Sequence, residues 1–149
     1  MNTIGSILFW VFLIVTSILF FPIAVLIRLL TGLFDRRLVV LHSFTSFWAS
    51  LYTWLNPFWR VTLVKKTNIN PKHTYMMISN HQSMVDIFAL FRTFFHFKWV
   101  SKAENFKFPF IGWNMRLNRY IEIQRGTTKG SVGMMRKAEA TLKEGSSIF

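Results

Sequence analysis

The segment Asn80-His81-Gln82-Ser83-Met84-Val85-Asp86 has residue types and a spacing suited to proton transfer. His81 and Asp86 are five positions apart. On one continuous helix they would sit well apart around the axis. With Ser83 as an N-cap, His81 falls just ahead of the helix and Asp86 in its first turn. From there the carboxylate can reach back to the imidazole. A carboxylate bonded to one ring nitrogen fixes the tautomer, stabilises the imidazolium, and leaves the other nitrogen to take a proton. No serine completes a triad, so the nucleophile would be a hydroxyl of the substrate. By spacing alone, a polar loop histidine followed by a capping aspartate is the commoner arrangement. His42 lies in an apolar helix, and His73 and His96 lie in or near turns. No spacing resembles a metal site, and there is no Gly-rich phosphate loop.

The flanking pattern supplies the elements that would position this pair. Tyr75 to Ser79, after the turn-like Asn70-Pro71-Lys72, reads as a buried strand. The helix opened by Ser83 is expected to run to about Phe95. Val61 to Val64 is β-prone, and Lys98 to Ser101 reads as a further strand. Phe108-Pro109-Phe110-Ile111-Gly112 opens a short helix with proline early in its first turn. Tyr120 to Gln124 alternates like a strand. Ser131 to Glu144 has helical spacing and ends at Gly145, where a C-cap belongs. Strand–helix alternation predicts an α/β domain. In such domains, sites lie where strands lead into helices.

The chain has 149 residues, 52% of them apolar, with a mean hydropathy of +0.33. Residues 1–64 carry five charges: Arg28, Asp35, Arg36, Arg37 and Arg60. Residues 65–149 hold fourteen basic and five acidic residues, so they carry +9 of the net +12. A basic balance of this size points to an anionic partner. Beside an apolar front half, that partner is expected to be lipid rather than nucleic acid. No nucleic-acid motif is present, and the aromatics cluster away from the basic residues. The absence of cysteine excludes disulfides, thiol catalysis and thiolate metal sites.

Ile4 to Ile27 is 24 residues without a charge, long enough at ~1.5 Å per residue to cross a hydrocarbon core. It reads as a retained anchor, kinked by Pro22. Leu38 to Trp59 is a second uncharged stretch with two faces. Phe44, Phe47, Trp48, Leu51, Trp54, Leu55 and Phe58 share one, and Ser43, Ser46, Ser50 and Thr53 the other. It suits the interface plane, and the Ser and Thr face equally suits helix packing. Basic clusters follow both stretches: Arg28, Arg36 and Arg37, then Arg60, Lys65 and Lys66. A two-helix element held in one leaflet keeps both on the cytoplasmic side.

The downstream segments carry a resemblance. Asn80-His81-x-x-x-x-Asp86 after an apolar strand resembles the first signature of the glycerol-phosphate and lysophosphatidate acyltransferases. Ser101-Lys102-Ala103-Glu104, Phe108-Pro109-Phe110-Ile111-Gly112-Trp113 and Tyr120-Ile121-Glu122-Ile123-Gln124-Arg125-Gly126 resemble the next blocks in order and spacing. The resemblance covers about residues 60–149, and the two-helix front end also fits bacterial members. It implies that His81 is the general base for the acceptor hydroxyl and that Asp86 orients it. Arg125 falls on the arginine expected to bind the acceptor phosphate. Lys102 is a second phosphate candidate, and Asn80 helps shape the site. A solvated surface charge is the ordinary alternative for both basic residues. No cofactor or metal is implied beyond an acyl-CoA or acyl carrier protein thioester as co-substrate.

The pattern departs from the family's at Arg119, commonly Gly, and at Gln124, commonly Asp. The later Phe-Pro-Glu-Gly-Thr-Arg block is absent, and Ser146 to Phe149 resembles the start of the strand leading to it. The expectation is therefore a two-helix membrane element over 1–60 and an incomplete glycerolipid-acyltransferase-like αβ domain over 61–149. That domain would have an exposed sheet edge. The expected reaction is acyl transfer to lysophosphatidate at the cytoplasmic face of a membrane. The alternatives are the same chemistry on glycerol 3-phosphate or another lysophospholipid, and a truncated, non-catalytic membrane-binding module.

Overall fold

A computed structural model describes residues 3–56, 59–64, 69–70, 72–80 and 83–149. The first helix, α1 (Thr3–Thr31), carries Pro22 inside it. Its apolar residues divide between two faces. Leu13, Thr16, Ser17 and Ala24 are buried, while Ile4, Ile7, Leu8, Val11, Ile14, Ile18 and Leu26 form an exposed stripe at helical spacing. The buried hydroxyls are satisfied within the helix. Ser17 Oγ donates to the Leu13 carbonyl at 2.6 Å, and Thr16 Oγ1 to that of Phe12 at 2.8 Å.

The second helix, α2 (Val39–Trp54), meets α1 through Phe44, Phe47, Trp48 and Tyr52, and of its serines Ser46 and Ser50 turn inward while Ser43 stays exposed. Ser46, Ser50 and Thr53 are buried, whereas Phe47, Trp54 and Leu55 are exposed. Of the two uses its faces allowed, packing is the one observed for the hydroxyl side. Small hydroxyl residues bond to carbonyls in their own preceding turn, as Ser46 Oγ does to His42 at 2.9 Å and Ser50 Oγ to Ser46 at 2.6 Å. They can therefore be buried at close approach without unpaired groups. Thr16 Oγ1 and Tyr52 Oη lie 2.8 Å apart and tie α1 to α2, while Trp48 Nε1 donates to the same Tyr52 oxygen at 2.7 Å. Among the described residues, α1 alone is long and apolar enough to cross a membrane.

Residues 61–149 contribute α3 (Met84–Phe91), β1 (Phe97–Lys98), β2 (Val100–Lys102), α4 (Ile111–Leu117), β3 (Ile121–Ile123), α5 (Thr128–Lys143) and β4 (Ser147–Ile148). A 3₁₀ helix, Ala103–Lys107, follows β2. β4 pairs with β1 and β3 with β2, both in parallel. Met76 bridges Ile148, also in parallel. Trp99 alone separates β1 from β2, and its carbonyl accepts from Ile121 while Val100 donates to Phe149. The order across the sheet is thus 75–77, β4, β1–β2, β3. All strands run one way and helices fill the connections, as α/β alternation requires.

Several expectations need correction. Val61–Val64 forms no strand. It carries β-prone residues, but no neighbouring backbone pairs with it among the described residues. Tyr75 to Ser79 lies at the sheet edge with one bridge, and Met76 and Ile78 are exposed rather than buried. Helix α3 stops at Phe91, before the expected Phe95, because Arg92 caps it and Phe94 turns to φ 51°. Pro109 precedes the α4 cap Phe110 instead of entering its first turn. Gly145, at φ 82°, closes α5 as expected. The core lies between sheet and helices and is strongly aromatic: Trp48, Tyr52, Phe88, Phe91, Phe97, Phe106 and Tyr120. Ile121, Ala138 and Ile148 form a second cluster under α5.

Candidate functional site

The start of α3 is fixed by its own side chains. Ser83 Oγ accepts from the Val85 amide at 3.2 Å, and Asp86 Oδ2 accepts from the Ser83 amide at 2.9 Å. This capping box anchors the helix start just past His81. His81 itself lies outside the described residues. Asp86 is half-buried. Asn80 is exposed where the 75–77 segment ends.

Lys102 closes β2 and Arg125 lies two residues beyond β3, both exposed. Lys102 is opposite Ile123 in the ladder, so the two cations project from adjacent strand ends. Arg125 shares its turn with Gly126 at φ 82°, which brings the chain round to Thr127. Thr127 caps α5 by accepting from Gly130 at 3.1 Å. Asn80, the start of α3, Lys102 and Arg125 therefore share the C-terminal edge of the parallel strands. That is where open α/β sheets bind ligands. At ~4.8 Å per strand, the 75–77 segment lies roughly 10 Å from the Lys102 strand and roughly 15 Å from that of Arg125. The edge thus offers a half-buried carboxylate at one side and two exposed cations at the other. It can take an extended ligand with an anionic end.

Gly112 sets the approach of α4 to the 3₁₀ turn. A Cβ there would meet the carbonyl of Phe106 at 2.5 Å, so glycine is required by contact.

Sequence reasoning missed a polar layer at the other end of the sheet. His42 is fully buried, with Nδ1 3.0 Å from Tyr120 Oη and Nε2 3.0 Å from the Phe95 carbonyl. A carbonyl only accepts, so Nε2 carries the proton and Nδ1 accepts from the tyrosine. Lys98 is 4% exposed and donates to the Asn118 carbonyl at 2.8 Å. Burial first, then the nearby Arg119, pull its pKa down from 10.5 to about 7, with Asp35 opposing. His96 is pushed down to about 4, by burial and then by Lys98. Asn114 and Asn118 both donate to Thr45 Oγ1, at 3.2 and 3.0 Å, binding α4 to α2. His42 and Lys98 are flanked mainly by apolar residues in the sequence, and no spacing marks the set.

A parallel βαβ sheet with polar groups gathered at its strand ends defines an α/β ligand-binding or catalytic domain. Comparison with known proteins narrows the class. Residues 60–149 match the family model described as Acyltransferase. The chain belongs to the acyltransferase family. It is 30% identical over 148 residues to a 1-acyl-sn-glycerol-3-phosphate acyltransferase of Chlamydomonas reinhardtii, covering 98% of this chain and 44% of that protein. It is 31% identical over 109 residues to a chloroplastic 1-acyl-sn-glycerol-3-phosphate acyltransferase of Arabidopsis thaliana, with 72% and 30% covered. Against the Saccharomyces cerevisiae 1-acyl-sn-glycerol-3-phosphate acyltransferase the identity is 33% over 85 residues, with 56% and 28% covered. The chain spans less than half the length of these relatives. No solved structure matches it.

Proposed function

We propose that the protein transfers a fatty acyl group from an acyl-CoA or acyl carrier protein thioester to the free hydroxyl of lysophosphatidate, giving phosphatidate. The observation that carries this reading is the similarity, over 98% of the chain, to a protein bearing that activity in its name. His81 takes the proton of the acceptor hydroxyl as its oxygen attacks the thioester carbonyl. The C–S bond then breaks, and the proton passes to the leaving thiolate. Asp86 holds the imidazole, and its position in the first turn of α3 supports that role. Arg125 and Lys102 bind the acceptor phosphate, supported by their places at adjacent strand ends. Asn80 shapes the entrance.

The reaction takes place at a membrane surface. The exposed stripe of α1 faces lipid, and its other face follows the α/β domain along its length. Phe9 lies 6.5 Å from Phe88 between ring centroids, Phe21 lies 5.5 Å from Trp113, and Ala24 and Ile27 pack with Leu117. A helix so docked favours insertion into one leaflet, on the cytoplasmic side, over crossing.

The test is transfer of labelled acyl chains to lysophosphatidate in membranes carrying the protein. Acyl-CoA and acyl carrier protein thioesters serve as parallel donors, with glycerol 3-phosphate as competing acceptor. His81→Ala is expected to lower phosphatidate formation by ~10²–10⁴-fold. Activity indifferent to His81, or product from glycerol 3-phosphate alone, would overturn the mechanism or the acceptor respectively.

A further inference from the structure

A cavity of about 500 Å³ opens at the N-terminal ends of the strands, lined by Arg28, Arg36, Arg37, Arg119 and Glu144, with Gly32 and Leu38. The arginines come from separate parts of the chain. Arg28 lies in the last turn of α1, Arg36 and Arg37 in the loop to α2, and Arg119 between α4 and β3. Four cations thus face one concavity, with one carboxylate in its lining. Arg37 is engaged elsewhere, since its Nη1 donates to the Gly145 carbonyl at 2.9 Å. Among the described residues, Arg28, Arg36 and Arg119 make no ion pair. Asp35, in the same loop, accepts from the Val40 amide at 2.8 Å. Buried Lys98 adds a further titratable base beneath them.

Two local features hold the cations in place. Arg28 folds back over Gly32, where any Cβ would collide with its carbonyl and guanidinium. Arg119 adopts φ 55°, a left-handed conformation that glycine takes without strain and arginine does not. Beside the cavity, Leu29, Leu33 and Phe34 are 70%, 93% and 74% exposed. They continue the exposed apolar stripe of α1. Apolar chains against that stripe would bring a charged head to the arginines.

The geometry points to a second anion site in this cavity, which binds the phosphate of an anionic phospholipid whose acyl chains lie along α1. Arginine forks suit phosphate oxygens by paired, charge-assisted hydrogen bonds. The site differs from the Arg125 edge. Arg119 precedes β3 and Arg125 follows it, six residues apart and roughly 20 Å along an extended strand. The inference rests on the membrane-facing placement of α1 proposed above, and not on acyl transfer.

A free phosphate ester offers the same oxyanion, so the test separates the sources. The purified protein is titrated calorimetrically at physiological ionic strength. The probes are inorganic phosphate, glycerol 3-phosphate, vesicles of phosphatidylcholine, and vesicles of phosphatidylcholine mixed with phosphatidylglycerol. The proteins compared are the unaltered chain, the double variant Arg36→Gln with Arg119→Gly, and Arg136→Gln, an exposed cation of α5 outside the cavity. The mixed vesicles are expected to bind best, the double variant to lose about tenfold or more, and Arg136→Gln to keep its affinity. Equal saturation by a soluble phosphate, lost in the same variant, assigns the source to solution and keeps the site. Unchanged binding of every probe by the double variant would sink the proposal, as would an equal loss in Arg136→Gln. Arg119→Gly relieves backbone strain, so a melting temperature that holds excludes unfolding as the cause. If the pair melts early, Arg36→Gln alone replaces it, and the same loss is required.

Discussion

The two ends of the parallel sheet hold their polar groups in opposite ways. At the C-terminal edge, Asn80, Ser83, Lys102 and Arg125 are exposed, and the hydrogen bonds are local. The Ser83–Asp86 cap spans three residues, as does the Thr127–Gly130 cap. At the N-terminal end the bonds are buried or long-range. His42 reaches Tyr120 across 78 residues, Lys98 reaches Asn118, and Arg37 reaches Gly145 across 108. One end therefore ties α2, α4, α5 and the strands into a single body, with Arg28, Arg36 and Arg119 outside those ties. The bonds at the other span only a few residues, which suits the ligand edge proposed above. Groups that must meet a substrate cannot also be spent as internal ties, so rate and stability should separate along the strand axis.

The sharpest test of that separation is at α3. Asp86→Asn keeps an oxygen for the Ser83 amide but removes the charge that would steady an imidazolium. The expected result is a loss of about a hundredfold in acyl transfer with little change in melting temperature. Ser83→Ala should do the converse, costing about 1 kcal/mol of stability with a smaller effect on rate. If Asp86→Asn unfolded the protein and left the rate of the folded fraction intact, Asp86 would be a cap and nothing more. At the opposite end, His42→Leu strands the Tyr120 hydroxyl and the Phe95 carbonyl in the core. Denaturant unfolding should show a loss of about 3 kcal/mol. A loss below about 1 kcal/mol would mean that this end is less tightly tied than its geometry implies.

How much of this was legible in the sequence follows from the range of the interactions. The Ser83 cap, the Gly145 terminus of α5 and the strand at Ile121–Ile123 are set by residues within a few positions, and pattern alone located them. The two faces of α2 were visible, but not which would be buried. Hydroxyls that bond to their own helix look polar in sequence and behave as packing residues in the fold. Val61–Val64 shows the converse, because β-prone residues without a partner strand stay irregular. Asn80, Lys102 and Arg125 became candidates through a family resemblance and not by spacing. The arginine cavity gathers positions from 28 to 144, and only the folded chain reveals it. Arg119 did carry a signal: it stands where the family commonly has Gly, and its φ of 55° explains that preference.

The Lys98 contact predicts how the tied end responds to pH. Its folded pKa is about 7, below the 10.5 of the unfolded chain. Between those values the unfolded chain holds a proton that the folded chain lacks, so raising the pH favours the fold. Below pH 7 both states are protonated and the penalty is constant. From pH 7 to about pH 9 the unfolding free energy should rise by about 2 kcal/mol, allowing for partial relaxation. Lys98→Met should flatten that rise. A slope that survives the substitution would assign it to other groups. Burial drives the Tyr120 pKa upward, so its ionisation opposes the fold only at higher pH.

The smallest effect separates two arginines of one cavity. Arg37 bonds to the Gly145 carbonyl and so completes the end of α5. Arg37→Ala should cost about 1 kcal/mol by leaving that carbonyl to water. Arg119 makes no ion pair among the described residues and sits at φ 55°. A left-handed non-glycine residue costs ~1–2 kcal/mol, whereas glycine gives back ~0.5–1 kcal/mol through the greater entropy of its unfolded chain. Arg119→Gly should therefore raise stability by up to about 1 kcal/mol in thermal or denaturant melts. If stability fell instead, Arg119 would belong with Arg37 among the ties that hold the domain together. If it rose while phosphate affinity fell, the strain at Arg119 would be the cost of holding a cation for a ligand, and the N-terminal end of the sheet would no longer be purely structural.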